Sequence, residues 1–175
     1  MMAEESFDVV DENDRVVGRR TRSDVHRLKL LHRSVHVLVF NRSGQVFLQK
    51  RSTTKDEHPG VWDASISGHV DAGETYDACA VREACEELGL ILESAPQRLF
   101  KINACIDTGY EFTWVYRVEA EGPFTLHTEE IERGGWFAVA QVDAWVATRP
   151  EELAPPLCMI WRQLRYLEAD CTLSG

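Results

Sequence analysis

The sequence predicts an α/β (α+β) fold: a mixed β-sheet with helices packed on its faces. Three observations carry that prediction. Short β-branched runs and runs with helical period interleave irregularly, and hairpin signals recur between the strands. The chain has 175 residues, 44% of them hydrophobic, which suits one domain with a real core rather than two. The expected organisation is a single domain over 1–175, with 1–33 as an N-terminal extension packed on it.

The elements follow in chain order. Phe7–Val10 and Val16–Arg19 read as strands of a hairpin that turns through Asn13–Asp14, and a short helix starts near Ser23, which can cap it. Ser34–Phe40 is rich in β-branched residues. Asn41–Gly44 is a turn and Val46–Lys50 the returning strand. A loop holding Asp56–Gly60 leads into an extended Trp62–Gly68. A helix spans about Thr75–Leu88, closed by Gly89, which can take the left-handed cap position. Strands are expected at Gln97–Ile106, at Glu111–Val118 and near Trp136–Val139. A helix over Val142–Thr148 stops before Pro150, and a last one spans about Pro155–Leu167.

Composition excludes several classes. No run approaches the roughly 18 apolar residues of a membrane span, and the acidic start MMAEESFDVVDEND lacks the basic and apolar regions of a signal peptide. A cytoplasmic location is therefore expected. Five cysteines (Cys79, Cys85, Cys105, Cys158, Cys171), an odd count with no CxxC, argue against a disulfide framework and a zinc site, so most are expected as small buried hydrophobes. A net charge of −10 disfavours binding to a nucleic-acid polymer. The charge is uneven: residues 15–33 hold seven bases and one acid, and residues 68–90 six acids and one base. A basic segment beside an acidic metal site would suit an anion that arrives with a cation.

The chemistry concentrates in Gly68–Leu90, GHVDAGETYDACAVREACEELGL. At about 100° per residue, Ala78, Val81, Ala84, Cys85 and Leu88 cluster on one helical face, and Glu83, Glu86 and Glu87 lie opposite, at i, i+3 and i+4. Like charges at such spacings cost the helix a few tenths of a kcal/mol per pair. A hard divalent cation bound through oxygens would offset that cost; a merely solvated acidic face is the plainer alternative.

The wider spacing favours the cation. Gly68, five residues, Glu74, seven residues, Arg82-Glu83, Ala84, any residue, Glu86-Glu87, any residue, Gly89-Leu90 resembles the Nudix box, a match with a chance on the order of 10⁻⁹ per starting point. The flanks Gln49-Lys50-Arg51, Pro59–Trp62 and Glu129–Trp136 are also similar to the Nudix family. Residues 5–60 look nearest the subgroup that contains isopentenyl-diphosphate isomerases and their hydrolase relatives. The resemblance implies an α/β/α sandwich and metal-dependent hydrolysis of a diphosphate linkage in a nucleoside diphosphate derivative or similar small organic diphosphate. It implies Mg²⁺ as cofactor, with Mn²⁺ as a substitute, held by Glu83, Glu86, Glu87 and the Gly68 carbonyl. Glu74 and Arg82 look like the structural charge pair of the box. Glu130 is the first choice for a further carboxylate, with Glu129 and Glu111 as rivals, and Glu83, Glu87 and Glu130 are the candidate general bases.

Arg51, Lys50 and the basic segment are candidates for the diphosphate itself, since a guanidinium fork suits phosphate oxygens. Phe47, Trp62, Tyr110, Phe112 and Trp114 could stack on a base but are expected mainly as packing, with Phe112 and Trp114 on one sheet face. The partner expected is a small-molecule diphosphate, with homodimers frequent among similar proteins. Two alternatives stand. One is an isomerase-like enzyme: His32, His69 and Glu111 match metal-binding positions of the isomerases, and His26 lies one residue out of register for another. Gly109 replaces a second glutamate there, and Ser67 stands where the isomerases use a cysteine, which speaks against that activity. The other alternative is a noncatalytic ligand-binding module.

Overall fold

The computed structural model describes residues 4–173. Its centre is a seven-stranded mixed sheet. β3 (His32–Phe40) runs parallel to β8 (Glu111–Glu119), in register from His32↔Glu111 to Phe40↔Glu119. The other pairings in the sheet are antiparallel. β4 (Val46–Arg51) lies beside β3, β5 (Trp62–Asp63) and β9 (Ile131–Phe137), β6 (Ile66–His69) lies on β3, and β7 (Gln97–Ile102) on β8. A separate hairpin, β1 (Ser6–Val10) with β2 (Val16–Thr21), packs on β3 and continues into α1 (Arg22–Leu28).

The sheet splits in the middle. β3 and β4 pair only at Val39↔Phe47 and Phe40↔Val46, after which β6 takes over the edge of β3 and β5 that of β4. At the fork the buried Ser65 hydroxyl accepts from the Val39 N–H and donates to the Phe47 carbonyl, so the two backbone groups left by the parting strands stay bonded. The segment Trp62–His69 threads this fork, bringing its last residues to the end of the sheet where the carboxylate helix lies.

Helices cover both faces. α2 (Tyr76–Leu88) packs Cys79, Ala80, Ala84 and Leu88 on Val35, Val37, Val39 and Phe47. α3 (Val139–Thr148) and α4 (Pro155–Leu173) pack Val142, Val146, Leu157 and Trp161 on Leu38, Phe40, Val46 and Leu48. A strand buried on both faces reads as a near-continuous apolar run, as Val37–Phe40 does in the second half of β3. The expected layers and mixed sheet are present. No helix among the described residues is long and apolar enough to cross a membrane.

Several expected boundaries move. Thr21, not Ser23, caps α1, accepting from the Asp24 N–H. The strand expected to reach Ile106 ends at Ile102, because Cys105–Tyr110 closes a turn with Gly109 and Tyr110 at positive φ. β9 begins five residues before Trp136, since β4 offers it pairing as far as Arg51. α3 starts at Val139, where Gln141 accepts from the Ala138 N–H, and α4 continues past Leu167. Of the cysteines, all free, only Cys79 and Cys158 are buried; Cys85 and Cys171 are exposed, so the expectation of mostly buried thiols fails.

Candidate active site

The face that α2 buries differs from the one its apolar pattern suggests. Ala78 and Cys85 are exposed, whereas Glu83 and Glu87 are buried beside Cys79, Ala80 and Ala84, with only Glu86 on the outer side. The carboxylates turn inward because polar partners meet them. Glu87 Oε2 accepts from Gln49 Nε2 at 2.8 Å and from the Ser67 N–H at 2.9 Å. Glu83 lies across Gly68: a Cβ there would sit 2.1 Å from its carboxyl carbon. Glycine is thus required not by backbone dihedral but by the closeness of the carboxylate to strand β6.

Arg82 ties the loop to the helix. Its Nε and Nη2 each donate to Glu74 at 2.9 Å, Nη2 also donates to the His69 carbonyl, and Nη1 donates to Glu83 (2.7 Å) and Glu86 (2.9 Å). One guanidinium therefore orients two carboxylates of the helix and fixes the strand that carries Gly68.

Burial raises the Glu83 pKa to about 7, against the pull of Arg82 and with help from Glu86 and Glu130. It pushes Glu87 well above the usual carboxylate range, and Glu83 adds to the effect. Two adjacent carboxyls pushed up in this way hold their protons unusually tightly, and a cation bound here would displace those protons. Oxygen donors from Glu83, Glu86, Glu87 and the Gly68 carbonyl make a hard set, which fits Mg²⁺ or Mn²⁺. Glu130 reaches the same cleft. Although burial pushes its pKa up, Lys55, whose ammonium lies 2.6 Å away, outweighs that and holds it ionised. Glu129 is exposed and does not line the cleft.

The other rival, Glu111, belongs to a second group. His26, His32, His69 and Glu111 hold their ligand atoms within 4.8 Å of one another. His69 Nε2 is 2.9 Å from Glu111 Oε1, and His32 Nε2 lies 3.4 Å away without hydrogen-bond geometry. His26 arrives from α1, so its offset in sequence register does not keep it from this group. Phe7, fully buried, stacks on His32 and His69 at 5.9 and 4.8 Å. Burial alone would raise the Glu111 pKa, but His69 and His32 outweigh it and hold the carboxylate well below the usual range. Burial lowers His32, but Glu111 reverses that and raises it.

The cleft is open to solvent, and Glu83, Glu86, Glu130, Arg51 and Lys55 are among the residues that line it. Of the residues expected to touch substrate, Arg51 lines it and Lys50 does not: alternation along β4 turns Lys50 to the opposite face, where it pairs with Glu132 at 3.5 Å. From the basic segment only Arg22 enters, paired with Glu5 and Asp56. Phe47, Phe112 and Trp114 pack in the core around α2, the last two on one face as expected. Trp62 packs against Phe137 and Trp145, and neither it nor Tyr110 lines the cleft. Ser67 is tied down, its hydroxyl donating to Asp63 at 3.4 Å and accepting from Arg51 at 3.3 Å. Sequence reasoning missed Gln49, Lys55 and Asp63 as site residues; a glutamine directly after the apolar Val46–Leu48 run of β4 was the one available signal.

The chain's relatives accord with this geometry. Residues 30–157 match the NUDIX domain. An uncharacterized Nudix hydrolase of Streptomyces coelicolor is 40% identical over 144 residues, covering 81% of this chain and 78% of its own. An isopentenyl-diphosphate Delta-isomerase of Photorhabdus laumondii is 27% identical, covering 82% of each chain. The crystal structure of a Deinococcus radiodurans protein superposes with a TM-score of 0.81 at 29% identity, over 91% of this chain and 98% of that one. With a family match over most of its length and a Gly68–Leu90 segment folded as loop, helix and loop around buried carboxylates, the chain belongs to the Nudix hydrolase family.

Proposed function

We propose that this cleft hydrolyses a diphosphate linkage in a nucleoside diphosphate derivative or similar small organic diphosphate, in dependence on Mg²⁺, with Mn²⁺ as a substitute. The observation that carries this is the burial of Glu83 and Glu87 beside Gly68, where a cation would take the place of the protons that burial holds on them. Glu83, Glu86, Glu87 and the Gly68 carbonyl are the residues that would hold it. Held there, such an ion would supply neutralisation of the diphosphate charge and a lowered pKa for a bound water. Arg82 orients Glu83 and Glu86, while Gln49 and the Ser67 N–H fix Glu87. Glu83 and Glu130 line the cleft as proton acceptors, Glu130 kept ionised by Lys55, and Glu87, the third candidate, is buried beside them.

The test is a panel of nucleoside di- and triphosphates, nucleotide sugars, dinucleotides and isopentenyl diphosphate, each with Mg²⁺, with EDTA and with Glu87→Gln, with products read by mass spectrometry. Metal-dependent cleavage that Glu87→Gln loses by about 100-fold or more is expected. A folded protein that binds Mg²⁺ and turns over nothing would instead be a ligand-binding module.

A second metal has its own support. The buried Nε2 atoms of His26 and His32 have no hydrogen-bond partner, and both belong to the group with His69 and Glu111. Imidazoles with one carboxylate suit a transition metal, as the resemblance to the isomerases implies. Bound transition metal should disappear in His32→Ala, and an unchanged metal content sinks this reading. Isomerisation itself is disfavoured, because the Ser67 hydroxyl is held between Arg51 and Asp63.

A further inference from the structure

A buried ion pair stands in the wall of the cleft with no evident stabilising purpose. Arg51 ends β4 with its side chain 11% exposed, and Nη1 donates to Asp63 Oδ2 at 2.9 Å. Asp63, on β5, is 3% exposed. Its Oδ1 accepts from the Ala64 N–H, and the buried His36 Nδ1, which has no hydrogen-bond partner, stands 3.8 Å from it. The rest of the guanidinium is also occupied: Nε and Nη2 donate to the Glu57 carbonyl at 3.2 and 3.1 Å, and Nη1 to Ser67 Oγ at 3.3 Å. An arginine has five N–H donors; these bonds use four and leave one Nη2 hydrogen. Removing such a pair from water costs about as much as it gains, so stability alone is a weak reason for it. Fixing a guanidinium in advance removes the rotamer entropy that binding would otherwise have to overcome.

We propose that Asp63 is a positioning residue: together with the Glu57 carbonyl it fixes the Arg51 guanidinium at the cleft wall so that its remaining Nη2 hydrogen meets a phosphoryl group of the substrate. This rests on the diphosphate reading above. The contacts also explain why an arginine stands here, since a lysine cannot bond Asp63, Ser67 and the Glu57 carbonyl together in one plane.

The test is binding of methylenediphosphonate with Mg²⁺, a probe that cannot be hydrolysed, measured by calorimetry alongside kcat and KM for whichever substrate the panel identifies. The variants are Asp63→Asn, Arg51→Gln, the double variant and Arg51→Lys. Expected are a loss of affinity of about tenfold or more in Asp63→Asn and a raised KM with kcat changed less than about threefold. The double variant should bind no worse than Arg51→Gln, because Asp63 acts through Arg51. Arg51→Lys should lose a similar amount although it keeps the charge, and it provides the test if Asp63→Asn does not fold. Unchanged affinity in Asp63→Asn or Arg51→Lys, or losses that add in the double variant, would overturn the proposal while leaving the hydrolase reading intact. A wild-type protein that neither binds the probe nor cleaves any diphosphate overturns both.

Discussion

Replacing Gly68 with alanine isolates the distance on which the site depends. The added Cβ would lie 2.1 Å from both the carboxyl carbon and Oε1 of Glu83. Non-bonded carbons rest near 3.5–4.0 Å, so the carboxylate must retreat by roughly 1.5 Å. Metal–ligand distances tolerate about 0.2 Å, so under the proposed function Glu83 would no longer reach the ion and activity should fall by about 100-fold or more. The backbone of Gly68 is not in the left-handed region, so dihedral strain does not enter. The metal-free variant should therefore remain folded with nearly wild-type thermal stability. Gly18→Ala, where nothing lies within 4 Å of the new carbon, is the control and should leave activity unchanged. The assay is kcat/KM against Mg²⁺ concentration, with a thermal melt in EDTA. A Gly68→Ala enzyme with wild-type activity and Mg²⁺ half-saturation would refute the reasoning, since Glu83 would then not need its place over the strand.

Further outcomes follow from the buried groups. Burial raises Glu83 from 4.5 to about 7, so the folded state holds this proton more tightly than the unfolded state does. Its contribution is complete below the unfolded pKa and is lost as pH rises through about 7, a cost of about 3 kcal/mol. In EDTA, Glu83→Gln should thus be more stable than wild type at pH 8 and no more stable at pH 4.5; urea titrations at the two values check this, and an advantage independent of pH contradicts it. Phe7→Ala empties a fully buried site against His32 and His69 and should cost about 3–5 kcal/mol in urea unfolding, whereas a cost under about 1 kcal/mol would mean that the N-terminal hairpin does not hold this cluster.

Local signals reported local facts well. Thr75 and Gly89 close α2 as cap chemistry requires, with the Thr75 side chain accepting from the Ala78 N–H and Gly89 at a φ of 62°. The Glu74–Arg82 pair was visible because both members belong to one short segment. What misled was periodicity. Ala78 and Cys85 look apolar and Glu83 and Glu87 look solvated, yet the helix turns the carboxylates inward. A helical wheel ranks residues by transfer from water and knows nothing of the groups waiting opposite. Here those groups are Gln49, the Ser67 N–H and Arg82, two of them on strands distant in sequence.

The sequence by itself determined the family, because the spacing of Gly68, Glu74, Arg82, Glu83, Glu86 and Glu87 lies within one continuous segment. The tertiary structure alone decided which other side chains share their cleft. The parting of β3 from β4 admits Trp62–His69 between them and sets Asp63 against Arg51. The packing of α1 carries His26 to His32, His69 and Glu111. These pairings depend on how strands split and helices dock, long-range geometry that no spacing along the chain encodes.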